Sequence, residues 1–162
     1  MKRYIHYIMA MGLLFFTTIS KGEEFFLKNI FSPPATSSNL NNTIKIKNIR
    51  IASSAENYIG KHYRRGVSAQ CAAFVGHIVS RCGYNIPSNY AKCTSWLNWG
   101  NRGSINSLRR GDIIIYSKNS SGYNHIGIYD GHGKIIHRPT RSSPVKKLSY
   151  NYRSIIGIRR PS

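Results

Sequence analysis

The sequence predicts an α+β fold, in which one helix carrying a cysteine packs on an antiparallel sheet. Three observations carry that reading. First, Phe74, Val75, Ile78, Val79 and Cys82 recur at helical spacing after Cys71, and Gly83 offers a stop. Second, the patterned segments beyond Gly83 are short and β-rich: Asp112 to Tyr116, His125 to Asp130, Lys134 to Arg138 and Ile155 to Arg159. Third, the middle two are joined by a turn carrying Gly131 and Gly133, which makes them an antiparallel hairpin. A helix followed by a run of such strands covers its apolar stripe by lying on their sheet. A chain of 162 residues has room for one domain with a real core.

Taken in order, residues 1–20 read as a cleavable signal peptide. Lys2 and Arg3 precede an apolar run from Ile8 to Ile19, and Thr18 and Ser20 are small residues where a signal peptidase would cut. The run falls short of the ~20 residues that a spanning helix needs. This predicts a secreted or periplasmic protein. Residues 21–50 read as a flexible tether, since FSPPATSSNLNN is rich in Pro, Ser and Asn without apolar period. The globular domain is expected over 51–162, opening with a short helix around Ala52 to Ile59. The stretch IPSNYAKCTSWLNWGNRG after the cysteine helix reads as loop with about one helical turn. Its Trp96 and Trp99, with Tyr90, rim a substrate groove, pack into the core or take an ordinary surface role.

Lys and Arg number 24 against 5 acidic residues, a formal charge of +19. That excess predicts attraction to polyanions: anionic cell-wall polymers, anionic lipid surfaces or nucleic acid. The cations are dispersed and no nucleic-acid motif accompanies them, so specific nucleic-acid recognition is not expected. Of the three cysteines, Cys82 and Cys93 are candidates to pair in an oxidising compartment, leaving Cys71 free.

Taken alone, Cys71 reads as a small buried hydrophobe on the helix stripe. The downstream histidines change that. A cysteine in the first turn of a helix feels the positive end of the macrodipole, which favours thiolate. His125 and His137 lie twelve residues apart in HIGIYDGHGKIIHR. If Asp130-Gly131-His132 forms the turn, residues summing to 262 face each other, and the two histidines become direct cross-strand neighbours. His125 would then pair with the Cys71 sulfur and protonate a leaving amine, with His137 accepting a hydrogen bond from His125. The Cys71 backbone N–H would stabilise an oxyanion, and Tyr63 would donate a second bond or wall the cleft. His77 lies about 120° round the helix from Cys71 and should face elsewhere. A zinc site of Cys71, His125 and His137 lacks a close-spaced ligand pair, so no metal or cofactor is expected.

These residues, in this order, resemble the NlpC-type cysteine peptidases of bacterial cell-wall metabolism, which have a papain-like core. The resemblance runs from about Ala55 to Arg160. It rests on YIGKHYRRG, QCAAFVGHIVSRCGYNIP, LRRGDIIIY, HIGIYDGHGKIIHR and the closing IIGIRR. It implies a nucleophile at Cys71, a base at His125 and an orienting residue at His137, acting on amide bonds of peptidoglycan peptides. Relatives usually carry Asp-Cys-Ser-Gly-Phe where this chain has Gln70-Cys71-Ala72-Ala73-Phe74. Gln70 therefore replaces an acid that in relatives helps bind a free amino end, which places Gln70 among the substrate-binding or oxyanion residues. The default bond is γ-D-glutamyl–diamino acid; other stem, cross-link or sugar–peptide amides stay open. Two other readings remain: a CHAP-like amidase or transferase, and a non-catalytic wall binder on the same scaffold. If the target is a competitor's wall, a dedicated inhibitor protein is the expected partner.

Overall fold

The computed structural model describes residues 37–63, 70–122, 124–149 and 154–162. The expected signal peptide, and the tether as far as residue 36, lie outside the described residues. The compact unit that holds the site begins at Asn39.

Helix α1 (Ser37–Glu56) takes in residues 37–50, expected as tether. Its buried positions explain why the sequence concealed it. Asn48, Ile51, Ala52 and Ala55 are buried at i, i+3, i+4 and i+7, a helical stripe whose first member is polar. Ile46 and Ile49, the eye-catching apolar residues, are exposed.

Helix α2 (Gln70–Arg81) follows the predicted period and buries Ala72, Ala73, Phe74, Val75, Ile78 and Val79. It ends in a Schellman cap. Gly83 N donates to Ser80 O and Tyr84 N to Val79 O, with Gly83 at φ 85°. Phe74 is fully buried; truncating such a residue to Ala costs about 3–5 kcal/mol.

Six antiparallel strands follow: β1 (Asn101–Arg102), β2 (Ile113–Tyr116), β3 (His125–Tyr129), β4 (Lys134–His137), β5 (Lys146–Ser149) and β6 (Ile155–Arg160), ordered β1-β6-β2-β3-β4-β5. The α+β class with a helix on an antiparallel sheet is what the sequence predicted. Strands β1 and β5 were not expected; β1 has two residues, and β5 lacks apolar alternation. One face of the sheet carries Ile113, Ile115, Ile126, Ile128 and Ile136, which join α2 in the main core. The other carries Ile114, Tyr116 and Ile135. By strand parity His125 and His137 belong to this second face.

Trp96 is fully buried on the 3-10 turn Cys93–Asn98 and donates through Nε1 to Tyr90 O (2.9 Å). Trp99 donates to Asn85 O (2.7 Å). Trp96 is thus a core residue, while Trp99 lines a second, smaller cleft away from Cys71.

Candidate active site

The β3–β4 turn sets the histidine geometry. Asp130 Oδ1 accepts from His132 N (2.7 Å) and Lys134 N (3.0 Å), while Asp130 N donates to Lys134 O (3.0 Å). The loop proper is therefore Gly131-His132-Gly133, with both glycines at positive φ. Strand partners are Ile128↔Ile136 and Tyr129↔Ile135, so opposed residues sum to 264. This corrects the expected register by two residues, because the Asp130 carboxylate gathers the loop amides and moves the closing pair outward.

The shift keeps parity, so both histidines stay on one face, but as diagonal rather than direct neighbours. Gly127 occupies the position opposite His137. A Cβ there would stand 3.2 Å from His137 Cβ and 3.1 Å from Ile135 Cδ1. Without it, the His137 ring leans across to His125, and His125 Nε2 lies 2.5 Å from His137 Nδ1. The rings meet edge-on, centroids 4.7 Å apart.

His137 is buried and its acid constant is pulled down to about 3, chiefly by burial, then by the charges of His125 and Lys146. Burial thus favours its neutral form, in which Nδ1 can accept a proton from His125 Nε2. His125 stands close enough to Cys71 for its ring and its charge to help draw the thiol down. The Cys71 thiol is pulled down to about 5. Its largest cause is the hydrogen bond from Cys93; burial opposes, and the His125 bond and charge with the Ala72 amide assist. Cys93 shows the reverse: the Cys71 bond, burial and the Cys71 charge push its thiol up. Of the two sulfurs, Cys93 keeps the proton.

Cys71, His125, His137, Gln70 and Cys93 line one cleft of about 1190 Å³. That exceeds the ~300–1,000 Å³ of small-ligand pockets and suits an extended peptide. Tyr116 and Ile135 form part of its floor, and the exposed cations Lys92, Lys118 and Arg141 stand on its rim. No Asp or Glu lines it among the described residues. The described acids are engaged elsewhere: Glu56 with Arg110 and Lys147, Asp130 with Lys147, and Asp112 with Arg160.

Tyr63 was expected as oxyanion donor or cleft wall. Its ring instead packs on His77 (4.8 Å) and Phe74 (5.8 Å), and it is not among the cleft-lining residues. Aromatic packing on α2 claims the side chain. His77 faces away from the cleft, with Nε2 2.7 Å from Tyr58 Oη. Sequence reasoning missed Cys93 as a neighbour of Cys71. No disulfide links Cys82 to Cys93; all three cysteines are free thiols, and Cys82 lies beside Arg50 and Ser54. Among the described residues no cluster of His, Cys, Asp and Glu is arranged to hold a metal ion.

Residues 58–156 match the model of the NlpC/P60 family. The chain belongs to that family. A Corynebacterium glutamicum protein named as a probable endopeptidase is 30% identical over 107 residues, which span 63% of this chain and 48% of that protein. The chain thus spans about half the length of the curated relatives it matches. Among solved structures, NlpC1 of Trichomonas vaginalis aligns with a TM-score of 0.59 at 24% identity, covering 70% of this chain and 43% of that one. The P60 domain of a Mycobacterium avium paratuberculosis antigen gives 0.59 at 12% identity, covering 74% and 96%. These likenesses establish the fold as that of NlpC/P60 domains, the papain-like architecture expected from the sequence.

Proposed function

We propose that this NlpC/P60 chain is a cysteine hydrolase that cuts amide bonds in peptidoglycan stem peptides, exported through its first 20 residues to the periplasm or the cell exterior. The observation that carries the reading is the array Cys71–His125–His137, held on one wall of a peptide-sized cleft. The Cys71 thiolate attacks the amide carbonyl carbon. The tetrahedral oxyanion takes hydrogen bonds from the Cys71 backbone N–H, in the first helical turn where such groups lack intrahelical partners, and from the Gln70 side chain. His125 carries its proton on Nδ1 beside the sulfur and delivers it to the leaving amine. Neutral His137 accepts from Nε2–H throughout, which holds the ring in place and stabilises the imidazolium. Water, deprotonated by His125, then releases the acyl group from sulfur.

The cleft's cations favour a substrate bearing carboxylates. With Gln70 at the nucleophile's shoulder and every described acid already paired, no carboxylate among the described residues stands in the cleft to receive a free ammonium end. The reading therefore favours internal bonds, with the γ-D-glutamyl–diamino acid amide the first to try. The same cations would hold the enzyme near anionic wall polymers.

Digestion of purified muropeptides with product masses tests this. New fragments whose masses sum to the substrate plus one water, absent with Cys71→Ala, are expected. Equal cleavage by that variant would end the reading, and acyl groups moved onto new amines would replace hydrolysis by transfer.

A further inference from the structure

The mechanism above uses one thiol, yet the cleft holds two. Cys93, on the 3-10 turn, places its sulfur 3.6 Å from Cys71 Sγ. The same sulfur lies 3.5 Å from the carbonyl oxygen of Asn124, the residue before His125. Cys93 is buried, and the third cysteine sits against α1 beside Arg50 and Ser54. The arrangement is therefore a selective pair, a thiolate and a protonated thiol in van der Waals contact.

We propose that Cys71 and Cys93 form a disulfide site: small-molecule disulfides react at Cys71 and are resolved by Cys93, which caps the nucleophile reversibly. The Cys71 thiolate attacks one sulfur of RSSR, forming a mixed disulfide and expelling RS⁻, which takes up a proton as RSH. Cys93 then loses its proton to solvent, and its sulfur attacks the Cys71 sulfur and expels the second thiolate. Two protein thiols are oxidised to one disulfide, and RSSR is reduced to two RSH. The sulfurs must close from 3.6 Å to the ~2.05 Å of a disulfide. Because the resolving thiol is intramolecular, its effective concentration outcompetes free thiol. A capped Cys71 is shielded from irreversible oxidation, and dithiol reductants restore it.

The inference rests on reading Cys71 as a thiolate nucleophile, but its test counts sulfurs rather than cleaved bonds. Reduced full-length protein is treated with oxidised glutathione, quenched in acid, alkylated and peptide-mapped by mass spectrometry. The expected map links the Cys71 and Cys93 peptides, leaves Cys82 alkylated and retains no glutathione. In Cys93→Ser, glutathione stays on Cys71 at a level about tenfold or more above wild type. Cys93→Ala gives the same comparison should the serine disturb folding, and the wild-type map needs no variant. Glutathione retained on wild-type Cys71, or a bond made through Cys82, overturns the proposal while leaving the nucleophile intact. An unmodified Cys71 overturns both.

Discussion

Around the Asp130 turn the protein keeps its charges in pairs, whereas in the cleft no described carboxylate stands beside the ionisable groups. Glu56 receives Arg110 Nη2 at 2.5 Å and Lys147 Nζ at 2.8 Å. Asp112 is fully buried and takes Arg160 Nε at 2.8 Å and the Arg109 amide at 2.9 Å. In the cleft the corresponding contacts run sulfur to sulfur and ring to ring, without an acid among the described residues that line it. Acid–cation pairs are suited to fixing loops, because both partners stay charged over a wide pH range. In the cleft the orienting residue is a buried ring held neutral, with its acid constant down at about 3, so it adds no charge of its own beside His125.

The largest way to break this contrast is on the cleft side. Cys71→Ala should lower kcat/KM for muropeptide cleavage by at least about 10³-fold with the melting curve little changed. His137→Ala should cost about 10²-fold by freeing the His125 ring. His137→Asn, which keeps an acceptor, should recover much of that loss; equal damage by both would mean that His137 packs rather than orients.

A subtler strain comes from Gly127→Ala. The added methyl presses on His137 Cβ at 3.2 Å and Ile135 Cδ1 at 3.1 Å, contacts that must give by a few tenths of an ångström. Steady-state kinetics should show a several-fold fall in kcat, because small displacements of positioned groups are felt in the transition state. Unchanged kcat would mean that the glycine is not needed for the ring contact.

The smallest effect belongs to the paired side. Arg110, then Lys147, holds the Glu56 carboxyl down at about 2, below its ordinary 4.5. A depressed carboxylate stabilises the fold fully above its unfolded value and loses that contribution as pH falls from about 4.5 toward 2. Glu56→Gln should cost about 1 kcal/mol in urea unfolding at neutral pH, with the difference from wild type shrinking through that acid window. A constant difference across it would remove the ion pairs from the account.

The two sides also differed in how far they could be read from sequence. Helix α2 was legible because its buried residues are apolar and its cap is a glycine. The histidines were placed on one face by parity alone, which survives any even register shift. The register itself was not legible, since it depends on which loop amides the Asp130 carboxylate captures. Helix α1 was hidden by a stripe that begins at Asn48 and by isoleucines on its exposed side. The contact of Cys93 with Cys71 joins residues 22 apart across a loop, a separation with no local period to betray it.

The most direct test of the central claim is the rate of iodoacetamide labelling at Cys71, followed by peptide mapping across pH. The account predicts a rate that rises with a midpoint near 5 and then levels off. A midpoint near the ~8.5 of an ordinary thiol would contradict it.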